Sequence, residues 1–363
     1  MIPIYSPYLS KEDKKNVKEC LTSNWISSQG KFIKKFESEF AKLHNVKYAI
    51  ATSSCTTALH LSLVALDIGY DDEVICTDLT FIAPVNMINL TGAKPVLIDI
   101  DKKTLAMSSD ELEKRITKKT KAIIVVHPFG HAAQMDKIIQ ISKKYNLHVI
   151  EDVAEAVGGK FNGKLTGTFG DLSCYSFFAN KVITTGEGGM ILTKKKSLYN
   201  KIKVLRDHGM SLKKRYFHIY AGYNYRMTNM QAAIGYGQIK RFSKIINLRN
   251  QQIQRYQSLL PDTNNYYWRA FEKNVKSVHW LATLILTKAS NRNKLIKYLS
   301  KNGVEARPMI YPVHMALPYK NLRNNHYKSI SKDISLRSIH LPSSLNLKLK
   351  EQKYIVQLIK EWF

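Results

Sequence analysis

Two side chains in this sequence are of types that could do chemistry together. Lys181 follows the apolar run Ser173-Cys174-Tyr175-Ser176-Phe177-Phe178, and Gly186, Gly188 and Gly189 stand just beyond it. Asp152 ends another strand-like run, His148-Val149-Ile150-Glu151. A lysine amine can hold an aldehyde as a Schiff base. A separate carboxylate can keep a pyridine nitrogen protonated, so that the ring accepts electrons. The pair points to pyridoxal phosphate (PLP). A lysine in a chain this basic is ordinarily a solvated surface residue. Lys181 is set apart by following a buried strand and by neighbouring glycines that let backbone approach a ligand.

Other segments carry weaker signals. Ser53-Ser54-Cys55-Thr56-Thr57 puts hydroxyls and free amides at the start of a helix whose apolar face includes Leu59, Leu63 and Leu66. Such an end suits a phosphate, and it equally suits a plain helix cap. Phe81 follows the strand ending near Cys76, at the edge where parallel sheets bind ligands, and could stack on a cofactor ring or pack in the core. His127 and His131 lack a carboxylate or cysteine to complete a ligand set, so no metal is expected and a structural turn is.

The elements that must position these residues follow from periodicity. Residues 9–22 read as an amphipathic helix capped by Ser10, with Val17, Cys20 and Leu21 on one face. From Tyr48 to Leu192, short β-rich runs mostly alternate with helical patterns, which predicts an α/β fold with a mostly parallel sheet. Residues 228–260 read as one long helix. Ser277 to Leu286 and Val304 to Arg307 read as strands around a helix from Asn291 to Ser300, stopped at Asn302-Gly303. These form a smaller C-terminal α/β unit, giving a large domain over 1–240 and a small one over 241–363.

Composition narrows the class. A chain of 363 residues with 44% hydrophobic content is long enough for a large core, and its longest apolar runs are too short to span a bilayer. The first residues lack the basic-then-apolar order of a secretory signal, so a cytoplasmic location is expected. Four scattered cysteines without CxxC spacing imply buried, reduced thiols. The net charge of +28 is spread along the chain with no basic tail or nucleic-acid motif, so it favours anionic small substrates over nucleic acid.

Along Trp25-Ile26-Ser27-Ser28, Glu151-Asp152-Val153-Ala154-Glu155-Ala156, Gly222-Tyr223-Asn224-Tyr225-Arg226-Met227 and Arg307-Pro308-Met309-Ile310-Tyr311-Pro312-Val313-His314, the chain resembles the nucleotide-sugar aminotransferases of the DegT/DnrJ/EryC1/StrS family. The resemblance implies the aspartate aminotransferase type (fold type I) architecture. It implies that Lys181 binds the PLP aldehyde, that Asp152 pairs with the ring nitrogen and that Glu155 lies near the ring hydroxyl. Ser54, Cys55, Thr56 and Ser176 would hold the cofactor phosphate, Phe81 would stack on the ring, and Asn224 would reach the phosphate in a second subunit, making a homodimer the active unit. Trp25, Ser27, Arg226, Tyr311 and His314 would line the sugar-nucleotide cleft. Many relatives have glycine where this chain has Cys55. A dehydrating branch has histidine where this chain has Lys181, so amino transfer is implied, with L-glutamate as donor. The segments around Lys181 and Asn224 are most similar to the branch that aminates C4 of GDP-4-keto-6-deoxy-D-mannose to GDP-perosamine; related enzymes acting on UDP- or dTDP-linked ketosugars share most of the pattern.

Overall fold

The structure, a computed structural model, describes residues 1–269, 272–322 and 329–363. Its first nine strands are β1 (Tyr48–Thr52), β2 (Glu73–Thr77), β3 (Lys94–Ile98), β4 (Thr120–Val126), β5 (His148–Asp152), β6 (Lys160–Phe161), β7 (Lys164–Leu165), β8 (Leu172–Ser176) and β9 (Gly189–Thr193). Seven of them form one sheet in the order β1-β9-β8-β5-β4-β2-β3. Strands β3, β2, β4, β5 and β8 pair in parallel, and β9 runs antiparallel to both β8 and β1. The sheet is covered on both faces, which is why β2 and β8 are buried along their whole length. Side chains alternate across the pleat. Ala49, Tyr175, Met190 and Leu192 enter one apolar core, while Ile50, Cys174 and Ile191 enter another.

A second, all-antiparallel sheet has the order β10-β12-β14-β13, formed by Tyr266–Trp268 (β10), Ala282–Leu286 (β12), Arg307–Pro308 (β13) and Ser338–Leu341 (β14). The helices Phe242–Leu259, Ala289–Lys301 and Leu349–Trp362 bury Tyr256, Leu295, Leu299, Ile355 and Ile359 against it. Ile2 bridges Val304, so the first residues belong to this layer. The short strand β11 (Val275–Lys276) crosses back to pair with β6 beside the large sheet.

Several expectations need correcting. The run 228–260 is two helices, Asn229–Lys240 and Phe242–Leu259, broken where Arg241 leaves helical geometry at φ −108°, ψ 12°. Only Ala282–Leu286 of the run 277–286 is strand, because His279 takes φ 49° and turns the chain. In the first helix Ser10 does cap, but Leu21 is exposed; the buried side chains are Asp13, Asn16 and Cys20. Asp13 turns inward because it accepts from Arg241 at 2.6 Å. The helix after Ser54 is buried nearly all round, not on one apolar face. Gly303 does take the left-handed conformation, φ 73°, that stops its helix.

Candidate active site

Every parallel strand that contributes to the site does so from its C-terminal end, the edge where open α/β sheets bind ligands. β5 ends on Asp152, β8 on Ser176, and β1 leads through Ser53 and Ser54 into the helix Cys55–Ala65. Lys181 sits five residues past β8, in a turn where its amide donates to the Phe178 carbonyl at 3.0 Å.

The Lys181 amine is nearly buried. Its Nζ lies 3.7 Å from Glu155 Oε1 and 3.7 Å from the centre of the Trp280 ring. Glu155 Oε2 accepts the Phe129 amide at 2.7 Å, which fixes the carboxylate. Burial pushes the Glu155 carboxyl up from its ordinary range, with the Lys181 charge and the Phe129 amide opposing. Asp152 is likewise raised by burial, offset by the Ala154 amide and by Lys181. Cys55, fully enclosed, has a thiol pushed well above the ordinary value by burial and by Asp152. Lys181, Asp152, Glu155 and Cys55 thus share one electrostatic cluster.

The residues present fit PLP. At Asp152, Oδ1 accepts the Ala154 amide at 2.9 Å and faces the Cys55 thiol at 3.9 Å, and among the described residues Oδ2 takes no hydrogen bond. A buried carboxylate so placed is matched by a cationic ring nitrogen. Ser54 caps the helix Cys55–Ala65 in a reciprocal box with Thr57, so the amides of Cys55 and Thr56 open that helix. The backbone of Ser54 is packed tightly on Gly189, where an added Cβ would fall 2.4 Å from the Ser54 carbonyl. Ser176 is buried and accepts the Phe178 amide at 3.3 Å. Phe81 is 61% exposed just past β2.

The remaining candidates have other partners. Asn229 accounts for the loop before it, donating its amide to the Ser27 carbonyl and its side chain to the Trp25 carbonyl, while the Trp25 side chain stays exposed. Arg226 pairs with Asp207 at 2.7 Å and donates to Asn224 Oδ1 at 3.0 Å. Tyr311 is half exposed and takes a hydrogen bond from the buried Arg292. His314 is buried, 2.6 Å from Asp78 Oδ2. No hydrogen bond or ion pair among the described residues joins Trp25, Ser27, Arg226 or Tyr311 to Lys181, Asp152 or Glu155. Asn224 adjoins Tyr225, whose carbonyl takes the Ser53 amide, so its segment lies beside the start of the phosphate-suited helix.

His127 and His131 flank a short turn, Pro128–Gly130. His127 Nδ1 accepts the Ala133 amide, so Nε2 carries the proton and donates to Glu151 at 2.9 Å. His127 thereby ties this turn to β5, and no group of three or more His, Cys, Asp or Glu side chains placed to hold a metal ion occurs among the described residues. All four cysteines are free and buried.

A model of the DegT/DnrJ/EryC1/StrS aminotransferase family matches residues 7–360. The chain belongs to that family. The enzyme is therefore an aminotransferase dependent on PLP. It is 42% identical over 362 residues to a GDP-perosamine synthase of Escherichia coli O157:H7, covering 100% of this chain and 98% of that protein. A GDP-perosamine synthase of Vibrio cholerae is 39% identical, with 100% and 99% covered. Among solved structures, the sugar aminotransferase Spr1654 of Streptococcus pneumoniae in its PLP form superposes with a TM-score of 0.93 at 28% identity, covering 99% of this chain and 98% of that one. The aminotransferase fold is thus the fold type I architecture implied by the sequence.

Sequence reasoning missed Trp280, Arg249 and Tyr5. Trp280 lies in the stretch read as strand, and Arg249 in the helix read as continuous. Neither carries a motif; only the fold brings them to Lys181.

Proposed function

We propose that this aminotransferase moves the amino group of L-glutamate to the C4 keto group of GDP-4-keto-6-deoxy-D-mannose, giving GDP-perosamine, in the cytoplasm and as a homodimer. The observation that carries the proposal is the Lys181 amine held beside Glu155 in a cluster with Asp152, in a chain alike end to end with GDP-perosamine synthases.

PLP, when bound, supplies the electron sink that stabilises negative charge on a carbon next to nitrogen. The protein does the rest. Lys181 Nζ would take up and return the proton that amino transfer moves. Asp152 would hold positive charge on the ring nitrogen, an interaction its burial would strengthen. Glu155 orients against the Phe129 amide and balances the Lys181 charge. The amides opening the helix Cys55–Ala65, with Ser54 and Ser176, hold the phosphate. Phe81 would lie against the bound ring, and Asn224 of one protomer would complete the phosphate site of its partner. Trp25, Ser27, Arg226, Tyr311 and His314 shape the nucleotide-sugar cleft, and the chain divides near Arg241 into a large domain over 1–240, whose first residues reach across to the second layer, and a small one over 241–363.

The test is 2-oxoglutarate release from L-glutamate with PLP and, separately, 4-keto-6-deoxy sugars linked to GDP, UDP and dTDP. Turnover with the GDP sugar alone is expected. Turnover only with a UDP or dTDP sugar would keep the chemistry and overturn the substrate.

A further inference from the structure

Trp280 is tied to Lys181 by more than proximity. Its ring centre is 3.7 Å from Lys181 Nζ, well inside the range of a cation–π contact, and Trp280 is only 8% exposed, which strengthens such a contact. The indole is oriented by its own N–H, which donates to the Asn180 carbonyl at 2.6 Å, one residue before the lysine. Its backbone is held from the other side. The fully buried Arg249 donates through Nη1 to the Trp280 carbonyl at 3.1 Å and through Nη2 to Tyr5 Oη at 2.9 Å. Tyr5 Oη in turn donates to the Lys181 carbonyl at 3.0 Å. One planar guanidinium therefore registers the indole against the lysine backbone, a geometry that arginine fixes better than a flexible ammonium would. The Trp280 amide also packs on Gly130, whose φ of 91° admits no side chain and where a Cβ would meet the amide nitrogens of His279 and Trp280 at 2.8 and 2.9 Å.

We propose that Trp280 is a positioning residue for the reactive amine: its indole face receives the Lys181 ammonium whenever that amine is free, and keeps it beside Glu155 for recapture of the cofactor aldehyde. The proposal rests on Lys181 as the PLP-binding lysine. Glu155 Oε1 lies 3.7 Å from the same amine, Asp152 belongs to the same cluster and Arg249 sits on the backbone side of the lysine, so the ring acts together with two carboxylates. Space filling alone would not call for an aromatic face at this spot.

The test uses the full-length protein loaded with pyridoxamine phosphate, which leaves Lys181 free, and measures the acetylation rate of Lys181 by mass spectrometry at fixed pH. Only the uncharged amine reacts. Trp280→Leu is expected to speed labelling about 5-fold, equivalent to about 1 kcal/mol of lost cation–π stabilisation, and Trp280→Phe to fall between that variant and the parent. Protein made with fluorinated tryptophan keeps the ring's shape and weakens its negative face. It should also label faster, and it decides the matter if the leucine variant does not fold. Unchanged labelling of the fluorinated protein overturns the proposal, even if Trp280→Leu labels faster, because that rise would then reflect access. Borohydride treatment of the PLP-loaded parent separately checks the underlying reading. Cofactor fixed to Lys181 upholds it, and cofactor fixed elsewhere removes the basis of the proposal.

Discussion

Glu151 and Asp152 are consecutive carboxylates at the end of β5, both buried, and replacing each by its amide should have opposite consequences. Glu151 Oε1 accepts the amides of Phe169 and Gly170, each at 2.8 Å, and Oε2 accepts the Gly167 amide at 2.7 Å and the His127 Nε2 proton at 2.9 Å. In Glu151→Gln the new NH2 must face one of these pairs of donors in either orientation, leaving two buried donors without an acceptor. At about 1–3 kcal/mol each, the loss is about 2–6 kcal/mol. With an unfolding entropy of about 2.1 cal/mol/K per residue, that lowers Tm by about 3–8 °C. Asp152 is different, because burial raises its carboxyl against the Ala154 amide and the nearby Lys181 charge, and among the described residues it accepts hydrogen bonds only from that amide and, at long range, the Cys55 thiol. Asp152→Asn removes a desolvated charge, so cofactor-free protein at pH 7 should melt within about a degree of the parent or higher. Turnover should fall roughly 10²- to 10³-fold, the effect of about 3–4 kcal/mol lost from the charge opposite the ring nitrogen. The linkage signs are opposite too. The Glu151 pKa is depressed in the fold, so its contribution is complete above the unfolded value of 4.5 and fades as pH drops through the folded value. The Glu151→Gln deficit should therefore persist at pH 7 and close below that range. The raised Asp152 pKa makes its cost a feature of higher pH, absent below its unfolded value of 3.8. The assay is differential scanning fluorimetry across pH, alongside 2-oxoglutarate release. Equal Tm losses in the two variants, or lost turnover with unaltered Tm in Glu151→Gln, would refute the reasoning.

Lys181→Ala should abolish turnover yet fold and retain PLP that dialysis removes and borohydride no longer fixes; normal turnover would sink the assignment. The four enclosed cysteines should resist iodoacetamide in native protein and react in urea, as intact-mass measurement can show, since burial pushes the Cys55, Cys76 and Cys174 thiols above their ordinary values and raises Cys20 more modestly. Gly130→Ala should cost upward of about 2 kcal/mol from backbone strain and collision with the His279 and Trp280 amides, seen as a lower Tm. If sites are shared between protomers, mixing the inactive Lys181→Ala and Asn224→Ala proteins under conditions of subunit exchange should restore turnover, because each mixed dimer contains one fully native site; a mixture that stays inactive despite confirmed exchange would argue for self-contained subunits.

The placement of Lys181 and Asp152 was more legible in the sequence than the scaffold that aims them. Lys181 and Asp152 announce themselves because each follows a short apolar run, and a strand end is where a parallel sheet presents side chains to a ligand. Ser10 and Gly303 are equally plain, since capping and left-handed turns demand particular residue types. The break at Arg241 is silent because no glycine or proline marks it, and helical periodicity runs through it undisturbed. The turn at His279 is silent for a related reason: a histidine takes φ 49° there because the Gly130 turn and the Ser277 hydroxyl, which donates to the Gly130 carbonyl, hold the backbone. Asp13 shows the limit of patterning, as its inward orientation depends on an arginine supplied by a helix far along the chain. Trp280, Arg249 and Tyr5 meet at Lys181 only once two sheets and the first residues are assembled.

The antiparallel strand β9 also bears on how the chain comes to be folded. β1 is the first strand of the large sheet to leave the ribosome, and its only strand neighbour among the described residues, β9, is the last. Until β9 arrives, β1 presents unpaired backbone and the apolar Ala49, Ile50 and Ala51, and β8 lacks one of its two neighbours. Such a long-range closure is slow and leaves strand edges open to other nascent chains. Because β9 also packs Gly189 against Ser54, the same late step that seals the sheet assembles the phosphate-suited helix start beside the Lys181 loop. The start of the phosphate-suited helix and protection of the sheet edge therefore arrive in a single event of biosynthesis.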